Sequence, residues 1–420
     1  MSTLIKHERT LDHQKMNDIF DGVLQPMDLE DIRRQSEVAA DMVEKVRRTV
    51  LAPTAKKLPP LLYQKDIYEL CDLERGAFVY RLKASPELPQ GTTLPNRRIE
   101  FTLAEARQVI RELRGPSLRP VGREAVVISV ANFKGGVGKS TTAMTMAQGL
   151  SLLGHQVLLI DADPQASLTT LTGLLPEHEV GEGDTIFPLM VGDEMSIRSA
   201  IRPTYWDGID LVAASADLFN VEFVLPSRQV KELKHGFQFW NVLNLGIDDV
   251  REDYDFVIID TSPSLSYGTV NALFASNGIV VPLPPNALDY SSGAQFWSLF
   301  SDLSDRLGIV KKFDFVNVLL SRVDPDPASA VVKRWIFSTY GDKVMPVEIP
   351  RTIVTSNAST AFGTIFDRPV TEHSAKTRAR ARDAYFDLAK HVERLGQAIW
   401  ARQVEQTPLS LTMRSTSEVN

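Results

Sequence analysis

The sequence feature that most constrains the fold is a string rich in glycine and lysine, Lys134–Thr141 (KGGVGKST). The apolar run Ala125–Ala131 precedes the string and helical sequence follows it, so the string is predicted to join a strand to a helix. Glycines let backbone N–H groups converge on a phosphate, and the helix N-terminus adds its dipole. The string therefore predicts a phosphate-binding loop, or P-loop.

Residue types within the loop predict separate roles. Lys139 is expected to reach the β- and γ-phosphates of a nucleotide, and the Ser140 hydroxyl is expected to bind Mg²⁺. The standard pattern G-x-x-x-x-G-K-[ST] would place its first glycine at Phe133, and this chain carries an extra lysine, Lys134, instead. Two lysines exceed what the β/γ-phosphates of one nucleotide need. We expect Lys134 to serve another phosphate, for example across a dimer. The predicted cradle comprises Lys134, Gly135, Gly136, Val137, Gly138, Lys139, Ser140 and Thr141.

Three carboxylates are predicted to lie near this loop. The apolar run Gln156–Ile160 ends in Asp161 and Asp163, and the run Phe256–Ile259 ends in Asp260. Carboxylates at the carboxyl ends of parallel strands face the ligand crevice of an open α/β sheet. One can join a Mg²⁺ shell and another can orient an attacking water, as phosphoryl transfer requires. A single aspartate at a strand end is usually a helix cap, but three beside a P-loop favour a nucleotide site.

Short apolar runs alternate with helical segments through residues 121–404. Runs without polar alternation are typical of strands that are covered on both faces, which predicts a doubly wound α/β domain with a mostly parallel sheet. A last helix is predicted from Ser374 to about Arg402, and residues 405–420 are predicted to be a disordered tail. The other predicted strands are Ile209–Val212, Gly278–Leu283, Phe315–Leu320 and Val344–Ile349.

The N-terminal third is predicted to be helical and separate. In residues 1–55, a helix is expected over Asp28–Val50, with Asp28 as its N-cap. Its apolar residues recur at nearly heptad spacing, so the helix either docks on its own domain or forms a dimer seam. Prolines in Leu51–Pro60 mark a linker, and Gly115–Pro120 marks the boundary to the α/β domain.

Residues 56–116 have the spacing of a helix-turn-helix DNA-binding domain. Gln64–Leu70 and Glu74–Lys83 form the two predicted helices, and Arg75 and Arg81 are the predicted DNA contacts. The turn usually holds a glycine with a left-handed backbone, where this chain has Cys71. Arg97 and Arg98 follow a loop with glycine and proline and could form a wing. The alternative is a small helical module for protein contacts.

The net charge and the cysteine content exclude several classes of protein. The chain has 46 Lys and Arg against 53 Asp and Glu, a formal net charge of −7, which excludes a wholly basic nucleic-acid coat. The single cysteine cannot form an internal disulfide or a cysteine-rich zinc or iron–sulfur site. No apolar run approaches the length of a membrane span, and the N-terminus lacks a signal-peptide core. We therefore expect a cytoplasmic protein.

The motifs together resemble those of the deviant-Walker ATPases of the ParA/MinD group. Lys134–Thr141, Asp161–Ser167 and Asp260–Pro263 carry this resemblance, and DPQAS followed by LTTLTG looks like the ParA-type partition ATPases. The segment from NFKGG to IRPTYWDGIDLVAAS is similar to the larger plasmid-borne members, which include the RepA proteins of replication–partition operons. The resemblance covers about Val121–Ala401. The large members carry an N-terminal helix-turn-helix module and repress their own operon.

The resemblance implies an ATP- and Mg²⁺-dependent ATPase that forms a nucleotide-sandwich homodimer. It implies that Lys134 contacts the partner's ATP, that Asp163 positions the hydrolytic water, and that Ser140 and Asp260 serve Mg²⁺ with Asp161 close to that shell. In the family, ATP-bound dimers bind nonspecific DNA of the nucleoid. A ParB-type centromere-binding protein then triggers hydrolysis.

Two further predictions concern DNA and membranes. Arg351 matches an IPR segment that lies near DNA-contacting residues in ParA relatives, and Lys376 and Arg380 begin the last helix, where a solvated face is the alternative. A MinD-like membrane-positioning ATPase needs a basic amphipathic C-terminal helix, which Leu409–Ser415 does not resemble. A repressor with a vestigial ATPase is the other alternative, and the intact Lys139, Asp163 and Asp260 disfavour it.

Overall fold

A computed structural model describes residues 28–50, 56–352, 363–367 and 375–406. It divides into two units, residues 1–55 and residues 56–420. In the first unit, α1 (Leu29–Val50) begins after Asp28, whose Oδ1 accepts a hydrogen bond from the Asp31 N–H at 2.9 Å. The predicted helix and its cap are thus present. Ile32, Val43 and Val46 are 55%, 42% and 41% exposed. The dimer seam stays a prediction.

Residues 56–117, here called the N-terminal module, begin the second unit. A three-stranded antiparallel sheet in the order β1–β3–β2 supports three helices. The elements are β1 (Leu62–Tyr63), α2 (Gln64–Leu70), α3 (Arg75–Ala84), β2 (Thr92–Thr93), β3 (Ile99–Phe101) and α4 (Leu103–Leu113).

The turn between α2 and α3 corrects one detail of the sequence interpretation. The left-handed residue is Asp72, with φ of +52°, whereas Cys71 has an ordinary φ of −92°. Aspartate tolerates this conformation because its short side chain can hydrogen-bond locally. A glycine is therefore not needed at Cys71, because the left-handed backbone lies one residue further along. Ile67 and Phe78 are buried beneath this turn.

The rest of the second unit is built on an eight-stranded sheet in the order β11–β10–β9–β4–β8–β5–β7–β6. All neighbouring strands are parallel except β6 and β7. The predicted strands are present, and the antiparallel edge strand β6 was not predicted. The strands are β4 (Val126–Val130), β5 (Val157–Asp161), β6 (Arg202–Pro203), β7 (Ile209–Val212), β8 (Phe256–Asp260), β9 (Gly278–Leu283), β10 (Phe315–Val323) and β11 (Val344–Pro350).

Helices cover both faces of this sheet, so the predicted doubly wound α/β fold is confirmed. One buried cluster contains side chains of α5 and α14, and a second contains side chains of α9, α11 and α12. The helices are α5 (Lys139–Leu152), α6 (Ser167–Leu171), α7 (Pro176–Glu179), α8 (Phe187–Val191), α9 (Val221–Glu232), α10 (Val242–Gly246), α11 (Tyr267–Ala275), α12 (Ala287–Leu307), α13 (Pro327–Tyr340) and α14 (Ala375–Gln406).

The last helix, α14, runs four residues past its predicted end. None of the helices in the described ranges is long and apolar enough to span a bilayer. Most of the predicted disordered tail lies outside the described residues.

The N-terminal module and the sheet domain share one apolar core. Leu103 and Ile110 of α4 belong to the same buried cluster as Leu150 of α5. The Arg107 guanidinium, also on α4, is buried and donates hydrogen bonds to the carbonyl oxygens of Ser151 and His155 at 3.0 and 2.7 Å. The module is therefore fixed against the amino-terminal edge of the sheet.

Candidate nucleotide site

The glycine- and lysine-rich string forms the turn between β4 and α5, as predicted. Gly136 and Gly138 have φ of +76° and +94°, which L side chains rarely adopt, so glycine is needed at both positions. The Asn132 side chain fixes the start of the loop: its Oδ1 accepts from the Lys134 N–H at 3.1 Å, and its Nδ2 donates to the Pro282 carbonyl at 2.8 Å. Asn132 lies outside the Lys134–Thr141 motif, so the motif alone did not predict its role.

A cavity of about 1050 Å³ opens in front of this turn. Arg322, Arg351 and Tyr385 also line this cavity, and Asp163 lines it from the loop after β5. Six of the eight predicted cradle residues line the cavity: Gly135, Gly136, Gly138, Lys139, Ser140 and Thr141.

The two loop lysines have different surroundings. Lys139 is buried at the start of α5, and its Nζ donates to the Lys134 carbonyl at 3.2 Å. Burial lowers its pKa, although the carboxylates of Asp260 and Asp163 oppose this shift. Lys134 does not line the cavity, and its Nζ lies 2.5 Å from Oδ1 of the buried Asp289 on α12. Lys134 thus forms an ion pair with Asp289 of its own subunit.

Asp161 organises the loop that follows β5. Its Oδ2 accepts from both the backbone N–H and the hydroxyl of Thr169, each at 2.8 Å, and its Oδ1 accepts from the Asp163 N–H at 3.2 Å. Burial raises the pKa of Asp161 to about 7, against the effect of these hydrogen bonds. Asp163 in turn accepts from the Gln165 N–H at 3.0 Å. The role of Asp161 close to a Mg²⁺ shell therefore stays a prediction. Its observed hydrogen bonds stabilise the loop that follows β5.

Asp260, at the end of β8, is the most unusual group of the site. It is fully buried, and neither carboxylate oxygen has a hydrogen-bond partner among the described residues. Burial and the neighbouring Asp161 raise the pKa of Asp260 well above its usual value. The Ser140 hydroxyl, which lies nearby without meeting hydrogen-bond geometry, and the Lys139 ammonium oppose the rise. A buried carboxylate without partners is costly unless a ligand satisfies it.

The oxygen donors fit a magnesium ion that is held jointly with a nucleotide. Mg²⁺ is usually bound by one or two carboxylates together with waters and substrate phosphates. Asp260 and Ser140 supply such oxygens beside the phosphate loop. In the described part of the chain, no group of three or more His, Cys, Asp or Glu side chains could hold a metal by itself.

The candidate DNA contacts lie in separate places. Arg75 and Arg81 are exposed on α3. Arg97 and Arg98 lie in the loop between β2 and β3, where the Arg98 guanidinium is 5.7 Å from the centre of the Tyr63 ring. Arg75, Arg97 and Arg98 share the lining of a second cavity of about 390 Å³.

The other three candidates are outside the N-terminal module. The Arg351 Nη1 lies 3.2 Å from Asp324 Oδ2, and Arg351 lines the cavity in front of the phosphate loop. Arg380 is exposed on α14. Lys376 belongs to the same helix, but its side chain lies outside the described residues. Of these three candidates, only Arg351 is among the described residues that line the cavity in front of the phosphate loop.

A parallel sheet with a phosphate loop after β4 and aspartates at the ends of β5 and β8 defines a P-loop protein of the nucleoside-triphosphate-binding class. A family model described as an AAA domain matches residues 125–313. A Rhizobium rhizogenes protein that carries the name replication protein A is 33% identical over 67% of this chain and 71% of its own length.

Two other comparisons agree with this match. The chromosome partitioning protein ParA of Caulobacter vibrioides (strain NA1000 / CB15N) is 30% identical over 63% of this chain and 93% of its own length. A solved structure named Partition Protein has a TM-score of 0.59 at 20% identity, covering 87% of this chain and 99% of that one, so it shares the fold. The chain belongs to the ParA-type partition ATPases, and it is related to the RepA replication proteins.

Proposed function

We propose that this protein hydrolyses ATP in the presence of Mg²⁺ and uses the cycle to partition DNA, of a plasmid or a chromosome. The observation that carries the ATPase proposal is the Asp260 carboxylate, which is buried without a hydrogen-bond partner among the described residues beside Lys139 and Ser140. A magnesium ion bound to nucleotide phosphates would satisfy this carboxylate.

Each residue of the site has a proposed role. Lys139 and the loop N–H groups hold the β- and γ-phosphates, while Ser140 and Asp260 hold Mg²⁺, with Asp161 close behind them. When bound, the ion neutralises the charge that develops on the transferred phosphoryl group. Asp163 lines the cavity and orients the attacking water. Family membership supports these assignments.

Steady-state hydrolysis tests the ATPase. We expect slow turnover that requires Mg²⁺ and rises with DNA and a ParB-type partner. Lys139→Ala should abolish turnover because it removes the phosphate contact. Lys343→Ala removes an exposed lysine outside the cavity and should hydrolyse like wild type. Unchanged turnover in Lys139→Ala would show that the P-loop assignment is wrong.

The DNA functions are proposed for two parts of the chain. An ATP-bound homodimer, with Lys134 contacting the partner's nucleotide, binds nonspecific DNA through Arg351, Lys376 and Arg380. The N-terminal module acts as a winged helix-turn-helix that binds operator DNA and represses the protein's own operon. Supporting this, α2 and α3 pack across a tight turn and are followed by the β2–β3 hairpin with its two arginines. A ParB-type protein triggers hydrolysis, and the protein works in the cytoplasm on the nucleoid, without membrane binding.

Binding to operator and random DNA, each without nucleotide, with ADP and with ATP, tests this division. Arg75→Ala and Arg81→Ala should lose operator preference, by about 1–3 kcal/mol where a base contact is removed. Arg351→Ala should weaken ATP-dependent binding to random DNA, which should fall steeply with salt. Arg402→Ala changes an exposed arginine near the end of α14 and serves as the control. Equal losses on both DNAs in every variant would refute the division.

A further inference from the structure

The end of β10 contacts the phosphate loop from a distant part of the chain. Ser321 is buried, and its Oγ donates a hydrogen bond to the Val137 carbonyl at 3.0 Å. The next residue, Arg322, donates through Nη1 to the Gly136 carbonyl. Two consecutive residues of β10 thus hold two consecutive carbonyl oxygens of the loop.

The backbone at Arg322 is in a conformation that needs an explanation. Its φ is +51°, which is uncommon for a residue other than glycine. The pairing of β10 with β11 is also irregular between Leu320 and Val323. Residues held in such conformations persist when the surroundings fix them, and they cluster at functional sites. Here the left-handed residue is the one whose side chain reaches the phosphate loop.

Holding these two carbonyls determines where two N–H groups point. The peptide bond is planar and trans, so the C=O of one residue and the N–H of the next point in opposite directions. When Ser321 and Arg322 hold the carbonyls of Val137 and Gly136, the N–H groups of Gly138 and Val137 must face away from β10's side chains. It is these N–H groups that a phosphate-binding loop presents to its ligand.

We propose that Ser321 and Arg322 form a carbonyl clamp that presets the phosphate loop before nucleotide binds. This rests on the proposed function only for the identity of the ligand, because the contacts of the clamp are made within the chain itself. Both are positioning residues, since they act through the loop peptides. The Ser321 hydroxyl therefore donates its hydrogen bond to the phosphate loop.

Hydrogen exchange of the nucleotide-free protein tests the clamp directly. Ser321→Ala removes one donor, and Arg322→Gly removes the other while suiting the positive φ. Both should speed amide exchange in a peptide covering residues 133–141. The matched controls are Ser321→Thr, which keeps a hydroxyl, and Arg334→Ala, which removes an exposed arginine of α13. Exchange at the wild-type rate in both Ser321→Ala and Arg322→Gly overturns the clamp.

Nucleotide affinity gives a second readout. Binding of a fluorescent ATP analogue with Mg²⁺ should weaken about fivefold in Ser321→Ala and about tenfold or more in Arg322→Gly, because neutral and charge-assisted hydrogen bonds differ by this margin. Ser321→Thr should restore affinity. Faster exchange in the variants, together with a wild-type protein that binds no nucleotide, would support the clamp and refute the proposed ATPase. Altered exchange with unchanged affinity would overturn the positioning role.

Discussion

The strand β8 has a carboxylate at each end, and the two carboxylates differ in their hydrogen-bond partners. Asp255, just before the strand, accepts hydrogen bonds from Arg119 Nε at 3.0 Å, from the Gln156 N–H at 2.9 Å and from His155 Nδ1 at 3.3 Å. Burial would raise the pKa of Asp255, but these contacts outweigh it and lower the pKa. Asp260, at the far end, has no such partners among the described residues, and its pKa is raised.

The contrast separates a structural edge of the sheet from a functional one. At the amino-terminal edge, His155 is buried between Asp255 and Glu393, and Glu393 also accepts two hydrogen bonds of 3.0 Å from Arg114. These charges join the N-terminal module, the sheet and α14. At the carboxyl edge, the Asp260 carboxyl group lies near the Lys139 ammonium and has no hydrogen-bond partner among the described residues. The buried carboxylates of Asp255 and Glu393 have hydrogen-bond partners and belong to the scaffold. The buried carboxyl group of Asp260 lacks such partners in the described part of the chain and belongs to the candidate site.

Asp163→Ala should give the largest effect and should act on chemistry alone. Removing the residue that is proposed to orient water should lower ATP turnover by about a hundredfold to ten-thousandfold. ATP binding and thermal stability should stay near wild type, and an ATP-bound dimer should accumulate. Turnover, ATP affinity and sedimentation are the measurements. If ATP binding falls as far as in Lys139→Ala, then Asp163 has a structural role and the contrast between the edges breaks down.

Substituting the two ends of β8 tests the contrast on one strand. Asp255→Asn breaks a buried charge network and should lower the free energy of unfolding by about 3 kcal/mol. Asp260→Asn replaces a buried carboxyl group that has no hydrogen-bond partner among the described residues, so without nucleotide its free energy of unfolding should equal or exceed that of wild type. It should nevertheless lose Mg²⁺-dependent ATP binding. Urea unfolding measures both, and equal destabilisation by the two substitutions would contradict the contrast.

The pairing at the structural edge should depend on pH. Burial raises the pKa of Glu393, but contacts with His155 and Arg114 outweigh it and lower the pKa. A carboxylate with a lowered folded pKa stabilises the protein above its unfolded pKa, near 4.3, and the stabilisation is lost as pH falls through the folded value.

Glu393→Gln should therefore be less stable than wild type by about 2 kcal/mol at pH 7, as for a lost hydrogen bond to a charged group. The difference should shrink below pH about 4. Urea unfolding at both pH values measures it. A difference that stays constant with pH would show that the Glu393 charge does not matter.

Lys134→Ala should give the smallest effect on a single chain. Because Lys134 lies outside the cavity and pairs with Asp289, monomer affinity for ATP should change by less than about threefold, well under a typical charged hydrogen bond. ATP-driven assembly should fail, since the lysine is proposed to contact the partner's nucleotide. Asp289→Asn frees the same lysine and should still assemble. Sedimentation with ATP decides: assembly of Lys134→Ala equal to wild type would exclude a role across the dimer.

Local motifs explain why much of the site could be predicted. Lys139 and Ser140 belong to one short string, and Asp161 and Asp260 end apolar runs that indicate buried strands. The contacts of Ser321 with Val137 and of Lys134 with Asp289 join residues far apart in sequence, and no spacing rule predicts them.

Side-chain roles were harder to predict than positions. Asp161 is at its predicted place, but it holds the loop through Thr169, which carries no signal of its own in the sequence. The left-handed residue of the N-terminal turn was expected at Cys71 and lies at Asp72, because turn register depends on how α2 and α3 pack.

The shared core of the N-terminal module and the sheet domain has a geometric consequence. Because Phe78 and Leu82 of α3 are buried in the same cluster as Leu150 of α5, we expect α3 to keep a fixed position relative to the phosphate loop. In a homodimer, the interface between the two ATPase domains would then fix the distance between the two α3 helices. The spacing of operator half-sites would report the geometry of that interface.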